Sequence, residues 1–246
     1  MSGLICAGNV YIARFVNGVA GGEHGPINCK KFAYSPGTAE VKERKSRQRD
    51  TYGQALSAVT LPGTPEISIE FDDADPEVLQ YALMGTLTDV AVNSGSATDE
   101  EVIAHLDLWS KLANRGVSSV VVKDETEVTT YVNGTDYTLD ATAGMVKALS
   151  TGAINDGDEL HISYSYGALA GNKIVAGTET EIQAQIRLDG VNLDNQKKVD
   201  ILVWEAKLTT NGEIDPMSED FVTTGLKGIL VTPSGKSGPL EYRELD

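Results

Sequence analysis

The chain has 246 residues, enough to bury a sizeable core in one large domain or two smaller ones. Its hydrophobic content of 41% and charged content of 23% are ordinary for a globular protein and exclude wholesale disorder. The net charge of −16 argues against a protein that wraps nucleic-acid phosphates, because that binding needs clustered Lys and Arg.

The N-terminus has no basic region ahead of an apolar stretch, and no window approaches the roughly 20 apolar residues of a membrane helix. We therefore expect neither a signal peptide nor a membrane partner, and synthesis in the cytoplasm. Cys6 and Cys29 are too few for a disulfide framework and form no Cys-x-x-Cys motif, so both are expected to be buried thiols.

Alternating apolar residues and turn signals predict four strands in the first third of the chain. In the fourth, Ile67, Ile69 and Phe71 fall on one face, which we expect to be core, while acidic residues fall on the other. The predicted strands lie at residues 8–17, 26–34, 55–61 and 64–71.

A basic segment at residues 37–52 interrupts these strands in an otherwise acidic chain. It lacks an apolar stripe at helical spacing, so we predict a long loop projecting from a sheet. A loop of this length is usually functional or disordered, and a solvated loop that only keeps the protein soluble is the alternative. Its basic residues are Lys42, Arg44, Lys45, Arg47 and Arg49.

One helix is predicted next, with Asp75 as N-cap, Pro76 at the first helical position and Glu77 favoured by the helix dipole. We expect Gly85 to end it. Asp72, Asp73 and Asp75 could suggest a cation site, but capping is the simpler account. The predicted apolar stripe comprises Val78, Leu79, Ala82 and Leu83.

Short strands with turn chemistry predict a small β module at residues 117–171, inserted into a larger β domain formed by residues 1–116 and 172–246. Within the module, Asn133-Gly134 predicts a hairpin and residues 155–158 a turn before a strand. The other predicted parts of the middle region are a polar loop at 93–99, strands at 101–112, 117–122 and 159–166, and a linker at 167–171.

Two long strands with alternating apolar residues are predicted after the module, followed by a last strand and a polar arm. A short helical turn is predicted from Asp215 through Asp220. The strands lie at residues 179–188, 198–208 and 226–232, the hairpin loop at 189–197, and the arm at 233–246.

Catalytic and metal-binding patterns are missing from the sequence. His24, His105 and His161 are far apart and form no metal-ligand motif. Gly235-Lys236-Ser237 lacks the preceding glycine of a phosphate-binding loop, since Leu230 stands there. We therefore expect a non-enzymatic protein with no catalytic residues, no cofactor and no metal.

The segments TTYVNGTDYTLDATAGMV and INDGDELHISYSY, within residues 129–166, resemble the major tail tube protein of long non-contractile-tailed bacteriophages, the siphophage tail tube family. HLDLWSKL and the later IRLDGVNLDNQKKVDILVWEAKL are similar too, so the resemblance covers most of the chain. The matching positions are Tyr131, Gly134, Asp136, Tyr137, Gly144, Gly157, Tyr164 and Tyr166.

This resemblance implies a β-sandwich or barrel with one short helix, assembled into hexameric rings that stack as the tail tube of the virion. The implied partners are other copies of the chain, a tape-measure protein, tail-tip initiator and terminator proteins, and phage DNA that passes through the lumen without specific binding. The inserted module would lie on the outside of the tube.

The resemblance also implies roles for particular residues. The basic segment corresponds to an inter-ring stacking loop, in which Lys42, Arg44, Lys45, Arg47 and Arg49 would pair with acidic residues of the next ring. For the polar strand faces an ordinary outer surface is the alternative to the lumen. The candidate lumen-facing residues are Glu66, Glu70, Asp72, Glu181, Gln183 and Gln185.

Two other interpretations remain open. One is the tube of a contractile tail or of a type VI secretion system. The other is an extracellular β-sandwich adhesin or carbohydrate-binding module, which should carry an export signal or an exposed aromatic platform. Tyr164 and Tyr166 share a predicted strand face with Leu160 and Ile162, so we expect them in the core instead.

Overall fold

The computed structural model describes residues 3–245, so Met1, Ser2 and Asp246, the last residue of the predicted arm, lie outside the described residues. The fold is mainly β, with several sheets and one helix in the described part, which confirms the predicted fold class. That helix has seven residues, and no described helix is long and apolar enough to cross a membrane.

The chain divides into two compact units. The first combines the chain up to Thr88 with the chain from Ile174 onward, and the second is Asp89–Lys173. The second unit therefore begins earlier than the predicted insert at residue 117, because a strand before that point pairs with the strand at 159–166. The connections between the units are β8 (Thr86–Val92) and β16 (Leu169–Val175), which pair with each other.

The main element of the first unit is a nine-stranded sheet with the order β2-β1-β17-β18-β19-β7-β4. The two further strands are β3, which pairs with β1, and β20, which pairs with β18. Only Asn28 separates β3 from β4, which pair with opposite ends of this order, so the sheet curls back on itself. Its strands are β1 (Cys6–Val16), β2 (Val19–Ala20), β3 (His24–Ile27), β4 (Cys29–Ser35), β7 (Glu66–Phe71), β17 (Ile182–Asn192), β18 (Lys198–Thr210), β19 (Thr224–Leu230) and β20 (Leu240–Leu245).

The core of the first unit lies on the inner side of this sheet. The predicted core residues of β7 are all buried, and the alternating apolar residues of β17 are buried too, which confirms both period-two patterns. Apolar area removed from water at both strands stabilises the unit. The buried set is Val10, Ile12, Ile67, Ile69, Phe71, Ile182, Ala184, Ile186, Leu188, Val203, Leu208 and Leu226.

The helix α1 (Pro76–Ala82) begins as predicted, with the Asp75 carboxylate accepting the backbone N–H of Glu77. It ends differently, because Met84 rather than Gly85 takes the left-handed conformation, with φ of 49°. The Gly85 N–H then donates to the Gln80 carbonyl at 3.0 Å. The stripe also differs, since Tyr81 is buried with Val78 and Ala82 while the other two predicted residues are partly exposed.

The second unit consists of two small sheets around its own core. One has the order β12-β11-β15-β9, formed by β9 (Gly95–Ile103), β11 (Val117–Asp124), β12 (Thr130–Tyr131) and β15 (Glu159–Tyr166). The other has the order β10-β14-β13, formed by β10 (Trp109–Lys111), β13 (Tyr137–Asp140) and β14 (Met145–Ala148). The core includes Val102, Leu112, Val122, Tyr137, Val146, Leu160, Ile162 and Tyr164.

Several local predictions in the second unit were wrong because pairing is decided by distant partners. The predicted polar loop at 93–99 is mostly strand β9, paired with β15 despite its small polar residues. Gly134 does take a turn conformation, but β12 and β13 on its two sides join different sheets, so no hairpin forms there. The predicted linker at 167–171 enters strand β16.

Near the C-terminus the predicted helical turn at Asp215 is a non-helical turn, in which the Asp215 carboxylate accepts the N–H of Met217 at 2.9 Å. The predicted arm ends in a strand rather than lying free. β20 pairs with the first half of β18, and Leu240 packs against the core.

Candidate functional site

The basic segment is a β-hairpin rather than the predicted long loop. β5 (Glu40–Lys45) and β6 (Ala55–Leu61) pair with each other and with no other strand of the described chain. Every residue of both strands is exposed. A strand exposed on both faces needs no apolar alternation, which is why the sequence pattern of β5 did not reveal it.

The tip of this basic hairpin is a closed turn. The N–H of Ser46 donates to the carbonyl of Gln54 at 2.8 Å, and the N–H of Gly53 donates back to Ser46 at 2.9 Å. The hydroxyls of Ser46 and Thr51 lie 2.7 Å apart, and the Ser46 side chain is buried beneath the turn. The turn therefore holds Arg47 and Arg49 at the outer end of the hairpin.

Two glycines fix the base of the hairpin. Gly37 has φ of +77°, and a Cβ there would lie 2.3 Å from the carbonyl oxygen of Thr64. A Cβ at Gly63 would lie 2.6 Å from the backbone nitrogen of Thr38. The outgoing and returning segments therefore lie in direct backbone contact at the base of the hairpin, where a side chain at either glycine would clash.

One face of the hairpin combines basic and apolar side chains. Lys42 lies opposite Val59, and Arg44 lies opposite Ser57, in the antiparallel register. Together with Glu43 and Leu61 these side chains line a shallow groove. Val59 is 58% exposed, and no other described element covers the groove. The sequence pattern does not indicate that these apolar residues form a surface, because the alternation in β6 is typical of an ordinary half-buried strand.

The cations of the hairpin are weakly paired within the molecule. Lys42 lies 3.6 Å from Glu40 and Lys45 lies 3.5 Å from Glu43, and all four side chains are largely exposed. Among residues 3–245, Arg44 and Arg47 form no ion pair. Exposed pairs of this kind contribute only about 0–1 kcal/mol, so the cations are available to a partner.

Two of the three candidate lumen-facing residues in and just after β7 pair with lysines of β4. Glu70 lies 2.7 Å from Lys31, and Asp72 lies 3.2 Å from Lys30. The Lys30 ammonium, helped by the amide of Asn28, lowers the pKa of the Asp72 carboxyl below its ordinary value. This face is therefore mixed in charge rather than purely acidic.

The candidates just before and within β17 have different partners on the neighbouring strands. Glu181 lies 3.3 Å from Lys207, and the Gln183 amide donates to Glu205 at 2.6 Å. Gln185 lies opposite Ala13 in the neighbouring strand. β18 and β19 separate this strand from β7, so the structure does not bring the β17 set together with Glu66 and its neighbours.

One cluster in the second unit combines potential metal ligands. Ligand atoms of Asp99, Glu127 and His161 lie within 4.8 Å of one another. His161 Nδ1 contacts the Asp99 carboxylate directly, and its Nε2 lies 3.4 Å from Glu159. The hydrogen bond to Asp99 raises the pKa of His161, so these carboxylates favour the protonated form of the ring. The three residues are far apart in sequence, so no sequence motif indicates the cluster.

Comparison with known proteins gives a family for the chain. Residues 4–239 match the family model described as "Protein of unknown function UCP028589". The chain belongs to this family. The match of the UCP028589 family spans both compact units.

A curated phage protein is also similar to this UCP028589 family member. It is the "Tail sheath protein" of Burkholderia phage BcepMu, which is 27% identical over 107 residues. The aligned part is 43% of this chain and 21% of the relative, so the chain spans only about a fifth of the relative's length. A distant similarity to a phage tail protein is what this comparison establishes.

Proposed function

We propose that this protein is a structural component of a bacteriophage tail, and that it assembles with copies of itself into rings stacked as the tail tube. The observation that carries the proposal is the exposed basic hairpin, which projects from an acidic protein. The distant similarity to a tail sheath protein supports a role in the phage tail.

The hairpin fits an assembly element on physical grounds. An isolated two-stranded hairpin is marginally stable in water, and this one exposes Val41, Leu56, Val59 and Leu61. Burying one such side chain against a partner contributes about 1.5–3 kcal/mol. The unpaired cations add attraction to an acidic surface, and the rest of this chain is such a surface. A second copy is therefore a suitable partner.

The proposed tube would serve as a conduit rather than a catalyst, with no cofactor and no metal. Its net negative charge would repel DNA phosphate and let the genome slide without specific contacts. Initiator, terminator and tape-measure proteins would define the ends and length of the tube, and the second unit would decorate its outside. A hexameric ring rests on the resemblance to tail tube proteins alone.

The alternative of an adhesin or carbohydrate-binding module draws less support. Tyr164 is 3% exposed and donates its hydroxyl to Glu100, and Tyr166 is partly buried beside it. These two rings pack with the core of the second unit rather than forming a flat platform for a sugar.

Charge reversal on the hairpin tests the proposal. We expect R44E/R47E to stay folded but to lose assembly, because both cations are exposed and make no ion pair in the described molecule. K111E/R115E is the matched control, since it reverses two exposed cations in the second unit. Sedimentation of concentrated protein measures the difference. Equal assembly of wild type, R44E/R47E and the control would refute a hairpin-driven tube.

A further inference from the structure

A second unpartnered surface lies in the first unit, in the loop at residues 211–223 between β18 and β19. We call it the acidic loop, because it contains Glu213, Asp215, Glu219 and Asp220 and neither Lys nor Arg. It also exposes two large apolar side chains, Met217 at 87% and Phe221 at 91%. The loop thus has the opposite charge to the basic hairpin and a similar exposed apolar content.

Local hydrogen bonds shape this loop. The Asp215 carboxylate accepts the N–H of Met217, and the Asp220 N–H donates to the hydroxyl of Ser218 at 3.2 Å. Next to it, the Asn211 N–H donates to the Gly225 carbonyl and closes the base. Phe221 is therefore exposed on a closed loop with defined turns. Contact with a partner would remove this side chain from water.

The hairpin and the acidic loop lie at opposite ends of β7. Ser35 pairs with Glu66 at the end where the chain leaves for the hairpin and returns. Thr224 pairs with Phe71 at the other end, where the loop runs into β19. β7 has six residues, so about 17–20 Å of strand separates the two features.

Complementary surfaces at opposite ends of a molecule form head-to-tail contacts, which repeat in an open array instead of closing on a pair. Two copies of either surface alone would repel, because each has a single sign of excess charge. We propose that the basic hairpin of one copy docks on the acidic loop of the next copy, with Arg44 and Arg47 facing Glu213 and Glu219 and with Val59 close to Phe221. This deepens the tube function proposed above and rests on it.

A charge-swap experiment tests the contact. We expect E213K/E219K to raise the protein concentration needed for assembly at least about tenfold, because it places like charges in the contact. Combining it with R44E/R47E restores opposite charges and should bring that concentration back to within about threefold of wild type. D89K/E125K, which reverses two exposed acids of the second unit, is the control.

Cross-linking tests the same contact and does not require that tubes form. In a C6S/C29S background, V59C and F221C proteins are purified separately, mixed when concentrated and treated with a short thiol cross-linker. We expect the mixed V59C–F221C dimer and little of either homodimer. Predominant homodimers, or no cross-link, would overturn the contact.

The outcomes separate the two proposals. Wild-type tubes together with normal tubes from E213K/E219K would overturn the acidic loop as the acceptor while leaving the tube function standing. A mixed cross-link without tubes would retain the contact and contradict the tube. A combined variant that assembles no better than either parent would also overturn the pairing.

Discussion

At the residue scale, His161 shows how the second unit accommodates its negative charge. The ring contacts Asp99, lies near Glu159 and Glu101, and is only 12% exposed. When it is protonated, His161 offsets the repulsion between these carboxylates, which approach one another as β9 pairs with β15. The pKa of this residue, raised by the hydrogen bond to Asp99, therefore links the stability of the unit to pH.

The expected pH dependence follows from the direction of that shift. A pKa raised in the folded state stabilises the fold fully below the unfolded value of about 6.5, and this contribution is lost as pH rises through the folded value. We expect the second unit to unfold at lower temperature as pH rises above about 6.5. H161Q should flatten this dependence.

Thermal unfolding across pH, together with an NMR titration of the His161 ring, measures this effect. H105Q is the control, because His105 is exposed and outside the cluster. A folded-state pKa for His161 below about 6.5, or an unchanged pH dependence in H161Q, would contradict the ion-pair account.

At the scale of elements, β6, the second strand of the basic hairpin, and β7, the strand that follows it, differ in what stabilises them. β7 buries Ile67, Ile69 and Phe71, so packing stabilises it. β6 has no buried residue, so within one copy only its ladder with β5 and the turn at Ser46 stabilise it. Truncating side chains in the two strands should therefore have different consequences.

We expect I69A to destabilise the monomer by about 2–5 kcal/mol, because it leaves a cavity at a fully buried position. V59A should change monomer stability by less than about 0.5 kcal/mol, because Val59 is exposed, yet it should weaken assembly. Chemical denaturation and sedimentation of each variant separate the two effects. A V59A monomer as unstable as I69A would mean that β6 packs within the copy.

The same contrast explains what the sequence could predict. The sequence predicted β7 and β17 because each strand buries one face, which leaves an alternating apolar pattern in its own residues. It predicted the start of the helix because Asp75 caps a backbone N–H two residues away. β5 escaped prediction because neither face is buried, and β9 because its partner β15 lies far along the chain. The candidate site was predicted as a charged segment, but its hairpin form and apolar groove depend on the pairing with β6.

At the scale of the whole molecule, charge is distributed unevenly over an acidic chain. Five of its 20 basic residues lie within residues 42–49, in the hairpin and its tip. Copies of a protein with a net charge of −16 repel one another, so ordered association needs a local surface of opposite sign. The basic hairpin provides that surface, and its fixed glycine base would give the contact a defined direction.

Negative-stain electron microscopy of the concentrated wild-type protein, alone and mixed with a phage tail-tip initiator complex, tests the proposed assembly most directly. The account predicts hollow tubes of uniform diameter with a regular axial repeat, in one or both samples. Dispersed monomers in both samples would contradict a tail tube built from this chain.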